Sequence, residues 1–304
     1  MSNSSPSKKR VSNVPLNEWP SLVKTAFKAF FEEDSLFHGA ALAYYTVFAM
    51  VPLLYLSTAV AGRMIGEETM LSIIRYILQS KVGITDVDSI LVFVSSMNLT
   101  EGNVFIEWVS GIFLLIASTA VFQCLRSSMN SFYELNLNQL PKRRKLVKNI
   151  IFRLISILMI GGLTVTVIII YFIQSFFIAW LDQYFGVQSF WDALFTSVFQ
   201  HMSSIIGNAI VVLIVFKYVH DGVVNWRLAI WGALFTSILL YLGQLLINYY
   251  LLNFFFGAKG GGIAGSIFII LAWVYYSSQI IFFGAKFTAI YARWAKEPIT
   301  LKHK

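Results

Sequence analysis

Apolar runs long enough to cross a bilayer recur along this chain, and nothing else in it constrains the fold as strongly. Residues of about 37–61, 104–125, 151–180, 193–219, 228–252 and 266–292 are each predominantly apolar, and about 20 such residues in helical form cross the ~30 Å hydrocarbon core. No water is present there to satisfy backbone N–H and C=O groups, so a single run survives only if it bonds within itself as a helix. The expected fold is therefore all-α: a polytopic membrane helix bundle of six transmembrane helices. Composition agrees, since 57% of the 304 residues are hydrophobic and only 12% are charged, against about a quarter charged in soluble domains.

The runs divide the chain into residues 1–20, a polar stretch expected to be a disordered cytoplasmic tail, residues 21–295, a single membrane domain, and residues 296–304, a second cytoplasmic tail. Within SLVKTAFKAFFEE, Leu22, Val23, Ala26, Phe27, Phe30 and Phe31 share one side while Lys24 and Lys28 lie elsewhere, so an amphipathic helix at the membrane surface is predicted. Residues 63–103 predict two short helices over the outer face, separated by KVGITDVD, the second capped by Asp86 or Asp88. A polar connection is predicted from Arg126 onward, and a flexible glycine-rich loop over NFFFGAKGGGIAG.

Orientation follows from Lys and Arg, which concentrate on the cytoplasmic side of spanning helices. With six spans and both termini inside, all but Arg63, Arg75, Lys81 and Lys259 of the 23 basic residues fall on the inner side. The net charge of +8 is thereby absorbed by topology, and no nucleic-acid partner is needed. Lys142, Arg143, Arg144, Lys145 and Lys148 form the densest run and are expected to contact anionic lipid, at about 1 kcal/mol per basic residue. Trp108, Trp180, Trp191, Trp226, Trp231 and Trp294 fall near span ends, where an aromatic belt belongs.

Polar residues inside spans are costly against lipid and are expected to face inward. On the first span Asp34, His38, Tyr45 and Pro52 share a face, with Tyr44 completing a tyrosine pair, and Gly39, Ala43 and Thr46 lie opposite, where small residues admit a close neighbour. Pro52 cannot donate to the carbonyl of Phe48, so a kink is predicted there. His201 and Asn208, with Gln200 beside them, mark the fourth span; Tyr241, Gln244 and Asn248 the fifth; Tyr275, Gln279 and Lys286 the sixth. Together these stripes could line one path or binding cavity for a substrate, while the alternative for each residue is interhelical hydrogen-bond glue. Glu107 and Lys286 lie near span ends, from which a long side chain can snorkel.

Three motifs then carry a resemblance: Gly39-Ala-Ala-Leu-Ala-Tyr-Tyr-Thr-Val-Phe with Pro52 following, LRSSMNSFY at Leu125–Tyr133, and Trp273-Val-Tyr-Tyr followed by Phe283-Gly-Ala-Lys-Phe. Over roughly residues 25–293 the chain resembles the YihY/BrkB family of polytopic bacterial inner-membrane proteins, formerly labelled ribonuclease BN-like. The resemblance implies a multi-pass protein of the bacterial inner membrane. The family commonly has an acid where this chain has Lys286.

A ribonuclease would need converging metal ligands, yet His38, His201, His220 and His303 are scattered and the chain has one cysteine, Cys124. No phosphate-binding Gly-x-x-x-x-Gly-Lys-[Ser/Thr] loop is present, and Gly260-Gly261-Gly262 stands outside any such motif. The expectation is a non-enzyme without cofactor or metal, whose partners are membrane lipids. It would transport a solute or translocate a lipid or envelope precursor through a polar-lined bundle, with helices rocking about Pro52. The alternative is a membrane scaffold that recruits envelope-assembly proteins. Oligomeric state is not encoded in any of these features.

Overall fold

The computed structural model describes residues 18–32, 34–78, 87–95, 104–135, 162, 166, 169–170, 172–174, 176–177, 190–254 and 262–301. The basic run at Lys142–Lys148, most of the expected third span, Asp86, Gly260 and residues 1–17 and 302–304 lie outside them.

Eight helices are described: α1 (Trp19–Glu32), α2 (Ser35–Ile65), α3 (Glu67–Ile77), α4 (Asp88–Ser95), α5 (Val104–Phe132), α6 (Phe190–Tyr218), α7 (Trp226–Phe254) and α8 (Gly262–Trp294). Five of them, α2, α5, α6, α7 and α8, are long and apolar enough to cross a membrane. Between α5 and α6, the described residues of 169–177 are helical and pack on α6: Gln174 Nε2 donates to the Ser203 carbonyl at 2.8 Å, and Phe177 stacks on Phe199.

Helix boundaries differ from the hydropathy limits in instructive ways. α5 continues through Arg126–Phe132, where a polar connection was expected. Hydropathy reports where lipid ends, whereas this last stretch stays helical because Met129 and Phe132 are buried in protein. α8 likewise begins at Gly262, inside the expected loop, and α1 begins at Trp19 with Pro20 in its first turn, where a missing N–H costs nothing. A short antiparallel ladder, β1 (Gly222–Val223) with β2 (Thr300–Leu301), pairs Gly222 with Leu301. It ties the expected C-terminal tail to the body, an exception to an all-helical chain that no local pattern predicts.

The principal helix contacts run α5–α2–α8–α7–α6, with α1 laid across α8 and α3 and α4 covering the far ends of α2 and α8. α8 is central, packed against both α2 and α7, and its contact with α7 is close. Gly232 faces Thr288 and Gly284 faces Thr236, so a Cβ at either glycine would collide with the opposing threonine. Each threonine hydroxyl donates at 2.7 Å to a carbonyl of its own helix, Thr236 to Gly232 and Thr288 to Gly284. A reciprocal small-residue contact of this kind is how helices approach without a hydrophobic driving force between them.

Buried apolar residues form two clusters. One lies at the end that carries most of the described basic residues, called here the basic end, and joins α1, α2, α5, α6, α7 and α8 through Leu22, Phe30, Leu42, Phe132, Phe216, Leu228 and Phe282, among others. The other lies under α3 and α4 and joins Tyr55, Ile74, Leu78, Val87, Ile90, Leu91, Ile269 and Ile270. Among the described residues, neither α5 nor α6 contributes to this second cluster.

Candidate functional site

At the basic end, the segment Leu125–Tyr133 makes one contact after another. Arg126 donates to both carboxylate oxygens of Asp221, with Nε to Oδ2 at 3.0 Å. Asn130 clasps the same residue, its Nδ2 donating to Asp221 Oδ2 at 2.8 Å and its Oδ1 accepting from the Asp221 N–H at 2.9 Å. Asp221 follows α6 directly, so these bonds fasten α5 to the end of α6. Ser128 meets His38 Nδ1 at 2.9 Å, and Phe132 lies between Phe30 and Phe282, with ring centroids 5.8 and 5.2 Å away.

His220 is held in the neutral tautomer by its surroundings. Its Nδ1 accepts from the Gly222 N–H at 2.9 Å, which leaves Nε2 to donate to the Phe216 carbonyl at 2.7 Å. Tyr133 packs its ring edge-on against this imidazole, and burial pushes its phenol well above the usual tyrosine range. None of Arg126, Asn130, His220 or Asp221 was singled out as a path residue from the sequence. The available signal was the LRSSMNSFY motif itself, which places an arginine, three serines, an asparagine and two aromatics at the end of a helix.

Glu134 forms a second charged group. It sits at φ 55, in the left-handed region, immediately after α5. The Glu134 N–H bonds the Ser131 carbonyl at 2.8 Å and the Leu135 N–H bonds the Asn130 carbonyl at 3.0 Å, which is a Schellman termination with glutamate where glycine is usual. That conformation costs a non-glycine residue about 1–2 kcal/mol, and here it aims the carboxylate at α8. Lys286 Nζ donates to Glu134 Oε1 at 2.8 Å; Arg293 donates to Oε1 at 3.0 Å and to Oε2 at 3.1 Å. Lys286 does not snorkel: it is 1% exposed, because Glu134 reaches in to it. Partial burial raises the Glu134 carboxyl, but the hydrogen bonds and charges of Lys286 and Arg293 outweigh it, so the net effect holds the group below the usual carboxylate range. A cleft of about 560 Å³ opens here, lined by Thr25, Ala29, Glu32, Glu134, Lys286, Ile290, Arg293 and Trp294.

The residues predicted to line one path fall into separate groups. His38 turns inward to Ser128, while Asp34 is exposed at the start of α2. Gly39 and Ala43 are buried, and a Cβ at Gly39 would collide with Gln279, whose Nε2 donates to the Ser35 and Leu36 carbonyls at 3.3 and 3.4 Å. Tyr44 and Tyr45 are 55% and 39% exposed, and Pro52 is buried beside an apolar groove formed with Val47, Phe48 and Phe113. Far from these, the Tyr241 hydroxyl meets His201 Nδ1 at 2.6 Å, joining the stripes of α6 and α7, with Ser197 Oγ at 3.4 Å from Nε2. Gln200 is exposed on α6, Asn208 and Gln244 are half-buried, Tyr275 is half-buried on α8, and the side chain of Asn248 lies outside the described residues. α2 has its principal contacts with α5 and α8, and α6 with α7, so the stripes of α2 and α6 lie on helices with different principal partners. Glu107 pairs with Arg63 at the end opposite the basic one.

No solved structure matches this chain. It is 33% identical over 101 residues to a UPF0761 membrane protein of Chromobacterium violaceum, an alignment that covers 33% of this chain and 24% of that protein. The family model described as virulence factor BrkB matches residues 26–304, nearly the whole chain. On that match the chain belongs to the YihY/BrkB family of bacterial membrane proteins.

Proposed function

We propose that this protein is a non-enzymatic transporter of the inner membrane, with both termini cytoplasmic, that moves a solute or a lipid or envelope precursor. One observation carries the proposal: α5 and α6 are packed into the common core at the basic end, whereas toward the other end their described residues stay outside the cluster that joins α2, α3, α4 and α8. The first buried residue described in α5 is Ala117 and the first in α6 is Gly207. Before them, Phe105 and Trp108 are 74% and 70% exposed, and His201, which bonds Tyr241 of α7, lies in that same part of α6. Polar groups inside a spanning region are expensive unless they face a hydrated space or a partner. The positive-inside rule puts the basic end in the cytoplasm, which makes this an outward-facing state. A substrate would reach His201, Tyr241 and Gln244 from outside. Passage inward would require the Arg126–Asp221–Asn130 joint and the Phe30–Phe132–Phe282 stack to part.

The test places single cysteines at His201 and Gln244 in a Cys124→Ala background and labels intact membranes with an impermeant maleimide. Labelling of both from the outer side is expected; protection of both under every condition would end the transport proposal. A scaffold remains the second reading because Tyr76 on α3 and Val92 on α4 are exposed apolar residues at the end where envelope partners would dock. Reconstituted protein that moves neither labelled lipid nor solute, yet loses a crosslinked envelope partner on Tyr76→Ser, would favour that role.

A further inference from the structure

The cleft between α1 and α8 is separate from the proposed path, and its chemistry is specific. Its wall presents a carboxylate and a guanidinium already in contact, both about half exposed: Glu134 at 45% and Arg293 at 49%. Of the roughly four acceptor positions on a carboxylate, the bonds from Lys286 and Arg293 occupy three, and Arg293 commits two of its five N–H groups to Glu134. Each therefore keeps hydrogen-bonding capacity beyond the pair. Glu32 adds a second carboxylate on the rim; its contact with Lys28 is a loose 3.8 Å between exposed side chains. Buried Lys286 fixes Glu134 from behind, so the acceptor does not swing away. The volume, about 560 Å³, is within the range of small-ligand sites.

A ligand matched to this wall must carry both signs at close range. A simple anion would meet Glu134 and Glu32, and a simple cation would meet Arg293. We propose that the cleft binds a zwitterionic aminoalkyl phosphate, with its phosphate on Arg293 and its primary ammonium between Glu134 and Glu32. Such a group occurs as the headgroup of an aminophospholipid and as free phosphoethanolamine; the shared chemistry is what the cleft recognises. The backbone supports a built site, since Glu134 keeps a left-handed conformation that glycine would adopt without cost, and such strain persists where the surroundings or a function demand it.

The experiment titrates purified full-length protein in detergent with short-chain phosphatidylethanolamine, phosphatidylcholine, phosphatidylglycerol and free phosphoethanolamine, read by native mass spectrometry. Phosphatidylethanolamine is expected to bind at least tenfold more tightly than phosphatidylglycerol, which has no ammonium, or phosphatidylcholine, whose methylated nitrogen has no N–H. Arg293→Gln should weaken it about tenfold, and Glu32→Gln, an exposed change that leaves the Lys286 pairing intact, should reduce the preference over phosphatidylglycerol. Free phosphoethanolamine binding as tightly as the lipid would identify a soluble source; much weaker binding would identify the membrane lipid. Equal binding of the three lipids by the wild type, or an unchanged preference in both variants with thermal unfolding intact, overturns the proposal. That failure would leave the labelling at His201 and Gln244 untouched, so the two ideas stand or fall separately.

Discussion

The two ends of this molecule are built by different rules. At the basic end, helices from across the chain are joined by directed polar contacts laid over an aromatic core: Arg126 and Asn130 on Asp221, Lys286 and Arg293 on Glu134, Phe132 between Phe30 and Phe282. Toward the other end, α3 and α4 cap α2 and α8 with Ile74, Leu78, Val87, Ile90 and Leu91, while α5 and α6 stay outside that cluster. Ion pairs occur there too, Arg63 with the half-buried Glu107 and Arg75 with Asp88; the second lies on exposed side chains, where a pair contributes about 0–1 kcal/mol. Directed polar contacts between distant helices are thus concentrated at the basic end, and the other end is held chiefly by the apolar cluster under α3 and α4.

The comparison breaks most visibly at Asp221. Asp221→Ala leaves Arg126 and Asn130 without their shared partner in a part-buried site, and the expected loss is about 3–5 kcal/mol, read as a lower thermal midpoint in detergent. If Asp221→Ala costs no more than a substitution near His201, the basic end is not the fastened one.

Glu134→Gln comes next, at roughly 1.5–3 kcal/mol for a hydrogen bond to a charged group. Because Glu134 is held below its ordinary range, its contribution is fully present above the unfolded carboxylate value and fades as pH falls through the lowered folded value. The difference in midpoint between wild type and Glu134→Gln should therefore shrink on acidification below the usual carboxylate range; a difference that grows there would contradict the pairing.

Gly284→Ala sets a Cβ against Thr236 and should cost about 1–3 kcal/mol through overpacking. A Thr236→Ala partner change should recover part of that loss in a double-mutant cycle. The smallest effect belongs to Tyr241→Phe, which removes the bond to His201; interhelical bonds of this type average about 0.6 kcal/mol. Its consequence should appear instead in transport or in labelling of a cysteine at Gln244, and a stability loss as large as that of Asp221→Ala would mean that the outer half is fastened after all.

Much of the scaffold was legible because membrane partitioning acts along a single axis. A run of apolar residues reports its own depth, so α2, α6, α7 and α8 were found within about four residues of their ends, and α5 at its start but not at its far end, where it continues to Phe132. The amphipathic face of α1 was read the same way, and Leu22, Ala26 and Phe30 are buried as its spacing requires. Small residues announced a close approach, and Gly39 meets Gln279. The expected union of four polar stripes was different in kind, because it needed the lateral order of helices. α2 sits beside α5 and α8, and α6 beside α7, so His38 and His201 belong to different neighbourhoods.

By itself, then, the sequence determined that this is a helical membrane protein of the YihY/BrkB family, with the five long apolar helices described, the amphipathic pattern of α1 and the uneven placement of its basic residues. Those properties follow from energies that each residue carries regardless of its distant neighbours. Only the tertiary structure decided that Asp221 would close on Arg126 and Asn130 from more than 90 positions away, that Glu134 would adopt a left-handed turn to reach Lys286, and that α5 and α6 would meet at the basic end through these bonds. A pairing depends on which faces meet, and the hydrophobic period of a single helix in lipid says how deep a residue lies without saying whom it faces.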